Sequence, residues 1–445
     1  MKHLFPLTLL ALSMISCESL DSPLEYADST PSVSNNKRTE AEAVKLARKA
    51  ASSTDQNSRA PQSYSISLIT DNQSRSNELD TLCYIVNFDD EQGFALIAYD
   101  KRVSPVLAYS DHGNFTNDRS LNPAVYDCFI QKLPAFINNS IENASDAEPL
   151  NDPDFDVETC YSSTIPYNFL GRSWHQKNPY NQCVAKKYPD VQDIVVGCVP
   201  LAACQAMVFS KDTLTYHNIF YDLMYIRESL QDYDANYDQI EDMKKNPEAY
   251  ADCADELNVI KTNYDISISY ISKILEHLGD DLNAKYAPLA TSASTKDAMI
   301  LLRSLGYNIS PASGTSLLAY NPTNVVTKIF QNNIVQIRAN KAGSSEAHSW
   351  VIYSASYCRK ENALPMPQSF TPLQKFMHDQ YLNNIGNMYV YCEWGWKGDK
   401  NGLYNTDVFT SRNKENKNDD EDELTTEFNS NVQFYSVQRN SILSM

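Results

Sequence analysis

The 445-residue chain is poor in glycine, with 12, and in cations, with 37 Lys and Arg against 56 Asp and Glu. A formal charge of −19 repels phosphate backbones and anionic headgroups over most of a surface, so nucleic acid is set aside as a partner. Past the N-terminus no run approaches the ~18 uninterrupted apolar residues that a spanning helix needs. No C-x-x-C pair occurs and no His stands at ligand spacing from a Cys pair, so no metal site and no cofactor is implied. No internal repeat is visible, which leaves a repetitive adhesin without support.

What is present is a chain too long for one average domain, with 42% hydrophobic and 21% charged residues, which suggests two or three globular units. Met1-Lys2-His3 followed by the apolar stretch Leu4 to Ile15 reads as an export signal over residues 1–16, too short for a permanent span. Ser16 before Cys17 resembles a bacterial lipobox, with Met14 where Leu is more usual; Cys17 would then be the lipidated first residue, and ordinary signal cleavage is the alternative. A lipid anchor is the only membrane attachment expected, at the bacterial cell envelope or outer surface, with release after processing. Asp419, Asp420, Glu421, Asp422 and Glu423 read as a solvated loop. Ten cysteines in an exported chain invite disulfides, but the spacing does not disclose their pairing.

Residues 17–36 carry Ser, Pro and Asp without hydrophobic period, as a tether would. Thr39 to Ala51 has Ala43, Val44, Leu46, Ala47 and Ala50 on a helical period, with Thr39 placed to cap it. The runs 82–88 and 94–100 read as a hairpin around Gly93, and 104–110 as a further β-type run, so 37–145 forms a small α+β unit. Residues 146–160 are polar, acidic and Pro-containing, a linker open to cleavage. From 161 to 445 helices come first, with one long helical stretch near 219–257, and strands follow at 334–338, 349–354, 388–394, 402–408 and 432–437; this is an α+β order, not βαβ alternation.

Four local features carry chemistry. Gly197-Cys198-Val199-Pro200 opens an apolar helix, since Pro fits only its first turn, and the positive helix end favours the thiolate of Cys198. His348 opens the apolar strand Ser349 to Ser354, where an imidazole can be held and still present a nitrogen. Glu393-Trp394-Gly395-Trp396 follows a strand, and Trp394 there would shield the histidine. Gln176 lies upstream of the cysteine, and its amide can join the Cys198 N–H on an oxyanion. Each also has a structural reading, as core cysteine, solvent-facing histidine, core corner and ordinary loop.

In the order Gln, Cys, His, Trp-Gly-Trp these features resemble the streptopain family of papain-like cysteine peptidases. Residues 37–145, with Gly93 to Ala98 and Ser104 to Ser110, are similar to the Spi-like inhibitory propeptide that precedes such enzymes. The resemblance implies a papain-like α+β domain, helical part plus antiparallel sheet, behind a small α+β propeptide domain. It also implies Cys198 as nucleophile, His348 as general acid and base, Gln176 for the oxyanion and Trp394 beside the histidine. The family commonly has Asn where this chain has Glu393, which could orient the imidazole or point away. The expectation is an exported, self-inhibited cysteine endopeptidase acting on protein or peptide substrates, with its own propeptide as intramolecular inhibitor. A catalytically weak surface lipoprotein using the same fold to bind or inhibit is the alternative.

Overall fold

A computed structural model describes residues 36–54, 63–71, 80–121, 123–144, 160–166, 169–171, 174–340, 347–360, 363–410 and 432–440. The export signal, Cys17, nearly all of the tether and linker and the acidic run at 419–423 lie outside the described residues. Helix α1 (Glu40–Thr54) starts where the sequence indicates, because Thr39 Oγ1 accepts from the Glu42 N–H at 3.3 Å and the Glu42 carboxylate accepts from the Thr39 N–H at 2.7 Å. Four antiparallel strands follow, β1 (Tyr64–Asp71), β2 (Asp80–Phe88), β3 (Phe94–Ala98) and β4 (Val106–Ser110), then α2 (Pro123–Cys128) and α3 (Leu133–Asn143).

After the linker come β5 (Cys160–Ser162), α4 (Gln182–Lys187) and α5 (Cys198–Ser210). The stretch expected as one helix near 219–257 is broken up. A hairpin, β6 (Thr213–Tyr216) and β7 (Ile219–Asp222), leads into α6 (Leu223–Ala235), α7 (Tyr237–Lys245) and the long α8 (Ala254–Asp281). His217 and Asn218 at φ 48° and 61° turn the chain there, a conformation no helix holds. A second hairpin, β8 (Lys285–Ala287) and β9 (Ala290–Ser292), precedes α9 (Thr295–Ser304), β10 (Ile309–Ser310), β11 (Leu318–Ala319) and α10 (Pro322–Phe330). The closing strands are β12 (Asn333–Asn340), β13 (Ala347–Arg359), β14 (Ile385–Glu393), β15 (Gly402–Asn405) and β16 (Gln433–Gln438), with α11 (Pro372–Tyr381) between β13 and β14.

Among the described residues, the N-terminal strands and the C-terminal strands join in a single 12-stranded sheet, in the order β1-β2-β3-β4-β15-β14-β13-β12-β16-β10, with β5 on β13 and β11 on β16. The seam is the β4–β15 pair, where Tyr109 faces Leu403 and Ala108 faces Tyr404. Gly402 makes that approach feasible, since a Cβ there would stand 2.4 Å from the Tyr109 carbonyl oxygen. Helices cover both faces. Helix α5, buried from Val199 to Ser210, packs with α6, α8 and α9 under Val351, Tyr353 and Tyr435, while Trp350, Ile352 and Trp394 pack on the opposite side with residues of α2, α3 and α10. Helix α1 covers the outer face of β2 to β4. A disulfide ties Cys160 of β5 to Cys358 of β13, opposite each other in the ladder. Among the described residues no helix is long and apolar enough to cross a membrane.

Candidate active site

Cys198 is the first residue of α5, behind Gly197 at φ 92°, and is partly exposed. The backbone N–H groups of Ser349, Cys198 and Val199 and the Arg338 charge all favour its thiolate. Burial outweighs these donors and leaves the thiol pKa above its ordinary value. In this state the cysteine is held mainly as the thiol.

The register of β13 decides where the histidine looks. Successive side chains of a strand point to opposite faces. Ser349 faces α5, since the Gln336 amide donates to Ser349 Oγ at 2.9 Å and to the Val199 carbonyl at 3.4 Å. His348 therefore faces the other way. Its ring stacks over Trp350 and Trp394 at centroid distances of 6.0 and 6.4 Å, and Nε2 donates to the Trp394 carbonyl at 3.3 Å. The imidazole makes no hydrogen bond to the thiol among the described contacts. Burial depresses the His348 pKa to about 4, against the Trp394 carbonyl and the Asp127 charge, which both favour the proton. Asp127 belongs to α2 and is held by Arg119 at 2.7 and 2.9 Å.

Glu393 is fully buried on the face opposite Trp394. Its carboxylate accepts from the Asn401 amide and from the Gly395 N–H at 3.4 Å, while Asn401 Oδ1 accepts from the Trp394 N–H at 2.9 Å. It braces the tryptophan turn and does not touch the His348 ring. Gly395, at φ 76°, brings this turn against α5, where a Cβ would lie 2.7 Å from Leu201 Cδ2.

Gln176 is 5% exposed, and its backbone carbonyl accepts from the Val196 N–H at 2.9 Å, two residues before Cys198. The neighbouring Trp174 carbonyl accepts from the Lys397 N–H at 2.7 Å, and His175 bridges Trp396. The glutamine loop, the cysteine loop and the tryptophan turn are thus stitched together, and the Gln176 amide keeps its donors uncommitted among the described residues. The N-terminal region clasps the same turn: His112 Nε2 donates to the Gly398 carbonyl at 2.8 Å, and Lys400 Nζ donates to the Asn114 carbonyl.

Three neighbours of the site escaped sequence reasoning. Asn401 stands eight residues after Glu393, and an amide there is a ready partner for the buried carboxylate. Arg338 ends the mostly apolar run 334–337, where a cation has no local reason to stand. Asp127 carries no local signal, because its place follows from packing of the N-terminal region on the sheet.

Comparison with known proteins gives the family. The chain matches the Peptidase C10 family over residues 174–404 and the Spi protease inhibitor family over residues 35–132. It belongs to the Peptidase C10 family, the streptopain peptidases, and carries an inhibitor propeptide region ahead of a papain-like α+β domain. Among solved structures, a fragment of prointerpain A from Prevotella intermedia is similar at 14% identity and a TM-score of 0.45, over 84% of this chain and 98% of that one. No curated protein sequence matches.

Proposed function

We propose that the chain is a cysteine endopeptidase made as a zymogen, with Cys198 as nucleophile, His348 as general acid and base, and the region 37–145 as its intramolecular inhibitor. The observation that carries the reading is the helix-end place of Cys198, where Gln336 joins the Val199 carbonyl to Ser349, the residue next to His348. Catalysis needs the imidazole on the α5 side of β13, where it can take the thiol proton. The thiolate then attacks the scissile carbonyl carbon. The oxyanion accepts from the Cys198 N–H and the Gln176 amide, His348 hands its proton to the leaving amine, and water activated by the neutral imidazole hydrolyses the thioester.

In the intact chain the imidazole sits on the far side, bonded to Trp394 and flanked by Asp127, and the thiol is protonated. Both features support a latent state released when the linker 146–160 is cut. In this reading Trp394 shields the imidazole and supplies its resting acceptor, and Glu393 acts at one remove by holding the tryptophan turn. Export with lipidation at Cys17 completes the proposal and places protein or peptide substrates at the cell envelope.

The test is replacement of Cys198 by Ala in the full chain, with self-processing and casein hydrolysis followed in a reducing buffer. Processing and hydrolysis should both fall to background. Wild-type chain that stays inert after the linker has been cut by an added protease would refute the proposal.

A further inference from the structure

Arg338 stands near the nucleophile with no counter-charge among the described residues. In the β12 ladder it is the direct partner of Ser349 on one side and of Gln433 in β16 on the other. Directly opposed residues of an antiparallel pair lie ~5 Å apart with their side chains on one face. Ser349 is the residue whose N–H favours the Cys198 thiolate. Gln336, two residues back and on the same face, contacts the Val199 carbonyl in the first turn of α5. The row Gln433, Arg338, Ser349 therefore lies one pleat beyond the row packed under α5, at the open end where the thiol is.

The guanidinium is partly buried and donates to Gln433 Oε1 at 3.3 Å. Among the described residues no carboxylate pairs with it, whereas Arg102, Arg119, Arg227 and Arg359 each pair with an aspartate. A neutral glutamine steadies the fork without neutralising it. A half-desolvated guanidinium in that condition keeps its capacity for a bidentate carboxylate.

We propose that Arg338 is a specificity-determining residue that binds the side-chain carboxylate of an Asp or Glu adjoining the scissile bond of a peptide substrate. The proposal rests on the peptidase reading and deepens it by naming a substrate class. The same positive charge also favours thiolate at Cys198, so a test has to separate carboxylate binding from thiol activation.

Alkylation of the intact chain does so, because iodoacetate carries a carboxylate beside the reactive carbon and iodoacetamide does not. Labelling at Cys198 is followed by peptide mass spectrometry and normalised to Cys253 in the same sample. Arg338→Gln should lower the ratio of iodoacetate to iodoacetamide rates severalfold, and Arg338→Lys should retain most of it. In the processed chain, cleavage of peptides differing only by Glu or Gln next to the bond should favour Glu roughly tenfold, as one charged hydrogen-bonded pair supplies. That preference should vanish in Arg338→Gln and turn towards Lys in Arg338→Glu. Equal slowing of both reagents in Arg338→Gln would reduce Arg338 to thiol activation and overturn the carboxylate assignment. Failure of either reagent to label wild-type Cys198, with no peptide cleaved, would instead remove the peptidase reading beneath it.

Discussion

Burial of His348 beside Trp350 and Trp394 couples the resting state to pH. The ring titrates near 6.5 when free and at about 4 when packed in the intact chain. Above pH 6.5 it is neutral in both states and contributes nothing to their difference. As pH falls below 6.5, the unfolded or undocked ring takes a proton that the packed ring refuses, so the packed state loses stability down to about pH 4. In a Cys198→Ala background the melting temperature should fall on acidification through that window. The fall should be smaller in His348→Gln, with the two chains diverging by at most about 1.4 kcal/mol per pH unit. Parallel profiles for the two chains would show that the histidine is not packed as described. Glu393 calls for a different expectation. Glu393→Gln keeps an acceptor for the Asn401 amide but sets an NH2 against the Gly395 N–H, so it should cost roughly 1–3 kcal/mol in urea unfolding. Sequence alone named Cys198, His348, Gln176 and Trp394 but could not choose the face of His348. Both alternating sets of β13, Trp350 and Ile352 against Val351 and Tyr353, are apolar and buried, so the strand has no polar side to orient it.

Elements with a strong period were legible, and those set by pairing were not. Helix α1 and the β2–β3 hairpin follow from apolar spacing, the Thr39 cap and Gly93. Strand β1 escaped because four of its eight residues are exposed and only Ile69 is buried, so no buried face marks it. The stretch expected as one helix near 219–257 is broken because the β6–β7 hairpin turns on His217 and Asn218, which have no glycine to announce the turn. The β4–β15 seam is a matter of register between segments some three hundred residues apart, which no local pattern encodes. Its dependence on Gly402 is testable. Gly402→Val would press a side chain into the Tyr109 carbonyl and should loosen residues 37–145 from the rest, at a cost of about 1–3 kcal/mol. Limited proteolysis should then cut the chain faster in the linker, and hydrogen exchange in β4 and β15 should rise together. Unchanged protection of β4 would show that the two strands are held by other contacts.

For the whole molecule the Cys160–Cys358 disulfide closes a separation of 198 residues and holds the last residue of the linker against strand β13. Cleavage at 146–160 therefore leaves the new N-terminus fastened to the strand that carries His348. Replacing both cysteines with Ser should lower stability by roughly 2–4 kcal/mol, seen as an earlier denaturant midpoint, most of it through the unfolded chain. An unchanged midpoint would mean that β5 pairing alone secures that end.

Departure of the N-terminal region would leave β15 as the rim of the sheet, its Leu403 and Tyr404 backbone groups turned from ladder partners into open donors and acceptors. That rim is only four residues long, Gly402–Asn405, too short to template extended pairing with a neighbouring molecule. Loss of that region would thus create a new edge and, by keeping it brief, limit self-association of the remaining domain.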